Sequence, residues 1–501
     1  MGQGGPAADA GDRLTEPAGA APLPAFGALA SQSAYFSLGG VAQKAVGLLL
    51  IPVITRALST SEFGRLEVLS TLVSALTSTA TLGLDTVVTR RWVDSSADER
   101  SRLFAAWAAI SVLLGGAMVL AAGLWGGPLS EALFDTRAYA WPVRLVGLCA
   151  AANLLSVVGL TALRNQGRAR TYAIVAVLTV VTNGALAGTL ASVRGDAAAV
   201  LLGLTLATTL GAVLALAATR SLVLRPPAPG TAGMLLRRTM PLVPGLALTW
   251  GGDFAGRFVL LDQAGPTEVG FFSIAIRFST IGLILHSGFL LAWHPRAYEL
   301  ATRSGGRERI GADAMSMAVI LSLLTVALAA LGPELLLLLA GHRYDDALGA
   351  VGVGLLVPLA TLVFTIAALP LATANRLRRL GVATAVAATS ALAATVALAG
   401  PWGAAGAMVA LVAGQLVGAL VARRLVADAL DRPAYPRRRW IGLAAAAMAV
   451  TLAVTQPDPA LPLAVRLAVL AAYAGLVLAC EPTLVRSGVQ RLVALARPQR
   501  R

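Results

Sequence analysis

Few side chains in this sequence could do chemistry, and those few sit where charge is expensive. Lys44, the only lysine, lies beside Gln43 in the middle of an apolar run. Asp253 and Arg257 stand one helical turn apart in a second run, so a helix would place them on one face. Arg277 and His286 share a third run, and no carboxylate lies within a turn of Arg277. An ionisable group at mid-bilayer costs about 2.5–3.5 kcal/mol on insertion scales, so such groups face a bundle interior or a wet cavity. Lys44 would either contact an anionic ligand or pair with a structural carboxylate. Asp253 would hold Arg257 in an intrahelical ion pair, or Arg257 would touch ligand while Asp253 positions it or titrates with a coupling ion. His286 is either a packed neutral imidazole or the carrier of a coupling proton. Summed, Lys44, Arg257 and Arg277 against Asp253 leave a net positive interior. Arginine suits phosphate because its planar fork bonds oxygens in pairs, so the expected ligand is anionic, a phosphate or pyrophosphate.

A second group lies at helix ends. Asp85, Arg90 and Arg91 close one apolar run; His294, Arg296 and Glu299 close another. They are either solvated ends or the two halves of an inner gate of ion pairs. Other chemistries lack their residues. There is no Gly-x-x-x-x-Gly-Lys-[Ser/Thr] phosphate loop and no Ser/His/Asp, zinc or paired-carboxylate constellation in a loop. Membrane glycosyltransferases generally need acidic residues in an early outer loop, and the first such loop offers only Glu62. No enzyme activity, cofactor or metal is expected.

The elements that must position these groups are membrane helices. Of 501 residues, 57% are hydrophobic and 13% charged, and the apolar residues come in runs of about 20. The expected fold is an all-α polytopic membrane protein with about fourteen spans, at 33–57, 66–89, 103–125, 140–162, 171–193, 197–219, 241–261, 269–295, 313–337, 346–373, 380–400, 402–422, 440–455 and 462–480. The net charge of +15 comes from arginines in short loops, the pattern of membrane orientation rather than of a nucleic-acid surface. With the N-terminus inside, the inner loops hold nearly all of them, beginning with Arg90, Arg91, Arg100 and Arg102. The outer loops hold only Arg56, Arg65, Arg137, Arg194, Arg343 and Arg466. Both termini are therefore expected in the cytoplasm. Cys149 and Cys480 lie within apolar runs and form no framework.

The spans repeat. Ser61-Glu62-Phe63-Gly64 lies between spans 1 and 2, and Thr267-Glu268-Val269-Gly270 lies between spans 7 and 8. The same hairpin in the same place predicts two six-helix lobes in parallel orientation, related by a pseudo-twofold axis along the membrane normal. The expected division is a tail over 1–30, an N-lobe over 31–219, a cytoplasmic linker over 220–240 and a C-lobe over 241–425. Two extra helices would follow over 426–482, with a basic tail over 483–501.

The run Gly39-Gly40-Val41-Ala42-Gln43-Lys44-Ala45-Val46-Gly47, followed by Pro52 to Gly64, resembles the opening of polysaccharide-biosynthesis (Wzx-like) flippases. These belong to the multidrug/oligosaccharidyl-lipid/polysaccharide (MOP) exporter superfamily. The resemblance covers spans 1–12. It implies a bacterial inner-membrane protein that moves an undecaprenyl-pyrophosphate-linked oligosaccharide outward by alternating access, driven by an ion gradient or membrane potential. Its implied partners are that lipid-linked oligosaccharide, membrane lipids and polysaccharide polymerase or export machinery; nucleic acid is not among them. A cation-coupled multidrug exporter of the same superfamily is the alternative, although a cavity for cationic drugs should be more acidic. A membrane glycosyltransferase or polymerase, and a non-transporting scaffold, are alternatives of other classes.

Overall fold

The structure is a computed structural model, and it describes residues 50–240, 243–301, 303, 305–374, 376–426, 437–455 and 461–480. Side chains at 93, 243–253, 292, 295, 437–441 and 480 are outside the description. Among the described residues the chain is helical and contains no strand. The first lobe runs through α1 (helical residues 50–57), α2 (Thr60–Thr81), α3 (Leu84–Asp94), α4 (Ala97–Phe134), α5 (Ala140–Asn165), α6 (Ala169–Arg194) and α7 (Ala197–Ala218). Two short helices, α8 (Arg220–Val223) and α9 (Thr231–Thr239), lead on to α10 (Val243–Ala264), α11 (Pro266–Ala301), α12 (Gly306–Ala330) and α13 (Gly332–Ala340). The second lobe is completed by α14 (Leu348–Gly354), α15 (Val357–Thr373) and α16 (Leu377–Leu425). Two further helices follow, α17 (Arg437–Val454) and α18 (Leu463–Cys480).

Eight of these segments are long and apolar enough to cross a bilayer, and α2 with α3, bent by 44° at Leu82–Gly83, makes a ninth. The 49 residues of α16 would reach about 74 Å as a straight rod, more than twice the hydrocarbon thickness. It breaks instead at Gly403 (φ 52°, ψ −135°), just past Pro401. Its limbs fold back, with Gly414 against Ala387 and Ala391. One long helix thus holds two of the expected spans. The other expected spans coincide with α4–α7, α10–α12, α14–α15, α17 and α18. Only residues 50–57 of the first are described. Trp125, Trp141 and Trp402 are exposed near the turns at one end of the bundle, where an aromatic belt belongs. That end also carries the two hairpins, and it is called the hairpin end below.

Broken spans are satisfied by hydroxyls. The interruption between α14 and α15, just before Pro358, frees two carbonyls. Ser279 donates to the Gly354 carbonyl at 2.7 Å, and Thr325 donates to the Leu355 carbonyl at 3.2 Å. Such bonds let non-helical backbone persist at membrane depth.

The apolar core is shared at one end and divided at the other. At the hairpin end a single cluster includes Phe63, Leu69 and Val146 of the first lobe with Phe271, Tyr344 and Met408 of the second. At the opposite end the first lobe packs its own core around Trp107, Phe104 and Leu84. The second packs another around Trp293, Ile310 and Leu362. Among the described residues no core cluster joins the lobes there. The segment after α7 is not a free linker. Leu222, Val223 and Leu235 are buried in the first lobe's core, and Arg225 reaches Asp98 at 3.3 Å.

α17 and α18 pack against α12 through Ala447, Tyr473 and Val477 on Met315, Val319 and Val326. One arginine pins the pair. Arg466, 5% exposed, donates to the Ala330 carbonyl at the end of α12 (2.8 Å) and forks onto both oxygens of Glu334. A cation at a helix C-terminus, bonded to a freed carbonyl, satisfies both dipole and acceptor. Arg466→Ala should loosen α18 alone: charged hydrogen bonds of this kind contribute about 2 kcal/mol. Hydrogen exchange in α18 should therefore rise about thirtyfold, with α2–α7 unchanged.

Candidate functional site

The two repeated hairpins build the closure of the hairpin end. Ser59 caps α2 by accepting from the Glu62 amide. Glu62 then accepts from the Ala197 amide at the start of α7 (2.9 Å). In the second lobe Glu268 accepts from the Ala404 amide, where the second limb of α16 begins (2.7 Å). Each carboxylate thus caps the last helix of its own lobe, where orphan amides and the helix dipole favour an anion. The repeated Glu is a structural cap in both lobes. Glu62 is further held by Arg65 (2.9 Å) and by the Tyr139 hydroxyl, which donates to it.

The repeated glycines form the crossing itself. A Cβ on Gly64 would lie 1.6 Å from the Pro266 carbonyl oxygen, and one on Gly270 would lie 2.9 Å from that of Thr60. The contact is reciprocal, as a pseudo-twofold demands: each glycine meets the first residue of the opposing helix. Around it, Phe63 and Phe271 both stand edge-on to the buried ring of Tyr344, with centroids 5.9 and 6.0 Å away. Thr55 and Arg56 at the end of α1 donate to the Leu339 and Leu338 carbonyls of α13. The lobes are shut here by backbone contact and aromatic packing.

Beneath the crossing lies a charged cluster that joins the lobes. Glu67 of α2 accepts from Arg277 of α11 at 2.5 Å, and Arg257 of α10 stands 3.9 Å from its other oxygen. Arg257 also donates to Thr71, one turn further along α2 (3.2 Å). Both guanidinium groups lie over aromatic rings, Arg277 by Phe63 and Arg257 by Phe272, each at 5.7 Å. By helix rise the three groups sit about 10–16 Å below the hairpin end, inside the hydrocarbon depth. Among the described side chains, two arginines meet one glutamate there. The side chains are 12% (Glu67), 17% (Arg257) and 30% (Arg277) exposed, so Arg277 is the most open to a ligand.

Of the site residues read from the sequence, the structure brings Arg257 and Arg277 together, from two helices of the second lobe. Lys44 and the side chain of Asp253 lie outside the described residues. His286 is buried where α11 meets α15, its Nε2 3.4 Å from the Thr365 hydroxyl, about 14 Å along the helix from Arg277. At the opposite end the pairings observed stay within one lobe: Arg296 with Asp313 (3.0 Å) and Glu299 with Arg303. Arg91 donates to Met234 of α9 (3.2 Å), Arg90 is exposed and Asp85 half-buried. Glu67 was missed. It begins an apolar run and reads as a helix end, yet Arg277 has no carboxylate within a turn on its own helix, and Glu67 supplies one from the other lobe. Among the described residues no cluster could hold a metal ion.

The fold of paired helical lobes is shared with solved structures of MOP-superfamily transporters. The inward closed conformation of the lipid II flippase MurJ matches with a TM-score of 0.69 at 9% identity, covering 90% of this chain and 99% of that one. The inward-facing conformation of a multidrug resistance MATE family transporter matches at 0.63 and 14% identity, covering 82% and 98%. A MOP transporter from Pyrococcus furiosus, described as having a binding pocket of reverse polarity, matches at 0.55 and 15% identity, covering 83% and 96%. No curated protein sequence matches. Residues 29–300, more than half the chain, match the polysaccharide biosynthesis protein family, and the chain belongs to that family.

Proposed function

We propose that this protein flips an undecaprenyl-pyrophosphate-linked oligosaccharide from the inner to the outer leaflet of a bacterial inner membrane, for surface polysaccharide export. It is a transporter and not an enzyme in this reading. The observation that carries it is the convergence of Arg257 and Arg277 at hydrocarbon depth, with an open edge on Arg277. Phosphate oxygens would replace their water shell there with paired guanidinium bonds. The hairpin end faces outward, as the sparse arginines of its turns support, and both termini face the cytoplasm. The head group enters from the cytoplasmic side, where the lobes keep separate cores, while the lipid tail stays in the bilayer. Rocking of an N-lobe (31–219) against a C-lobe (241–425) then opens the hairpin end. Lys44 adds a third cationic contact, Asp253 and His286 support or couple, and Asp85, Arg90, Arg91, Arg296 and Glu299 meet as an inner gate in the alternate state.

A cation-coupled drug exporter shares the fold, but two converging arginines at this depth disfavour cationic cargo. Arg277→Ala and Lys44→Ala should each abolish surface glycan in cells whose protein level in the membrane is unchanged. Normal glycan in both variants would remove the anion-site reading.

A further inference from the structure

The carboxylate that sequence reasoning missed occupies the place where an anionic ligand would bind. Glu67 reaches across from the first lobe and takes up Arg277 and Arg257 of the second, directly beneath the glycine crossing. The same two guanidinium groups therefore tie the lobes together and form the ligand site. They cannot do both at full strength. Resting on the transport reading above, we propose that Glu67 is a stand-in ligand: it locks the hairpin end shut while the site is empty, and the pyrophosphate head group opens that end by displacing it.

The charges favour the exchange. Glu67 brings one negative charge, and a pyrophosphate diester brings two. It also offers several oxygens to the two planar forks. Arg277, the more open of the two arginines, is where the incoming anion makes first contact. Release of Glu67 removes an ion pair that spans the lobes and so weakens a closure that otherwise rests on the backbone crossing, the shared apolar core and the Thr55 and Arg56 hydrogen bonds. Linkage makes the effect reciprocal: whatever opens the lobes strengthens anion binding, and closure weakens it. An empty transporter then stays shut to the outside, and a loaded one does not.

The test uses the full-length protein in lipid nanodiscs with inorganic pyrophosphate as the probe. A cysteine at Ser273, buried beside the cluster, reports opening through labelling by a bulky thiol reagent. Glu67→Gln should bind pyrophosphate at least about tenfold more tightly than wild type, because the carboxylate that competes for the two arginines is gone. Its Ser273→Cys reporter should label rapidly without ligand. In the wild-type background, added pyrophosphate should raise labelling severalfold. Glu67→Asp keeps the charge with a shorter reach and should fall between the two; it serves if the glutamine variant does not fold. Equal or weaker binding in both variants, or pyrophosphate that binds without changing the reporter, would overturn the stand-in role while leaving the anion site intact. Absence of pyrophosphate binding in wild type and in every Glu67 variant would overturn the anion site and this inference together.

Discussion

Gly64→Ala is expected to prop the hairpin end open and to stop transport. The added methyl carbon would lie 1.6 Å from the Pro266 carbonyl oxygen, less than half an ordinary contact distance. That neighbour is backbone at the first turn of α11, so it cannot rotate away as a side chain would. The lobes must separate or the helices must shift, and packed interiors resist such shifts at a cost of about 1–3 kcal/mol. Inside each lobe nothing else changes, because Gly64 meets only the opposing helix there. The variant should reach the membrane at normal levels, with rapid outside labelling of a Ser273→Cys reporter and little surface glycan. Gly270→Ala should do the same more mildly, since its closest approach is 2.9 Å. Labelling of both variants at the wild-type rate would show that the crossing is not the closure.

The double variant Arg257→Gln/Arg277→Gln should lose both stability and transport, and the two losses should separate. With both arginines gone, Glu67 remains as a carboxylate at hydrocarbon depth with two cations removed. Removing the partners of a buried charge costs about 3–5 kcal/mol. Adding Glu67→Gln removes that stranded charge. The triple variant should recover the wild-type melting temperature in detergent and normal membrane levels. Transport should remain absent, because no guanidinium is left to receive phosphate. Recovery of surface glycan in the triple variant would mean that the arginines serve structure alone.

Much of the architecture was legible because bilayer depth imposes a length on apolar runs. The spans and their two-lobe repeat follow from that length and from one echoed hairpin. The meaning of the echo was not legible. Glu62 and Glu268 cap helices that begin about 135 residues later, and Gly64 and Gly270 matter because each meets the opposing helix's backbone. Those contacts exist only once the lobes are side by side. Arg257 and Arg277 stood out as charges in apolar segments, yet their common partner did not. Glu67 lies close enough to a loop to pass for a helix end, and only the crossing of α2 and α11 carries it inward. The proline-rich stretch after α7 reads as a tether from composition, but Leu222, Val223 and Leu235 dock it on the first lobe. Asp85, Arg90 and Arg91 face no observed partner among Arg296 and Asp313, since at that end the lobes pack separate cores.

The most direct test of a cationic site between two rocking lobes is translocation in proteoliposomes of two lipid-linked oligosaccharides alike except at the head. One carries the pyrophosphate, and the other joins sugar to lipid without phosphate. The account predicts that wild-type protein moves only the first and that Arg257→Gln/Arg277→Gln/Glu67→Gln moves neither. Equal movement of both lipids by the wild-type protein, or movement of the pyrophosphate form by the triple variant at the wild-type rate, would contradict it.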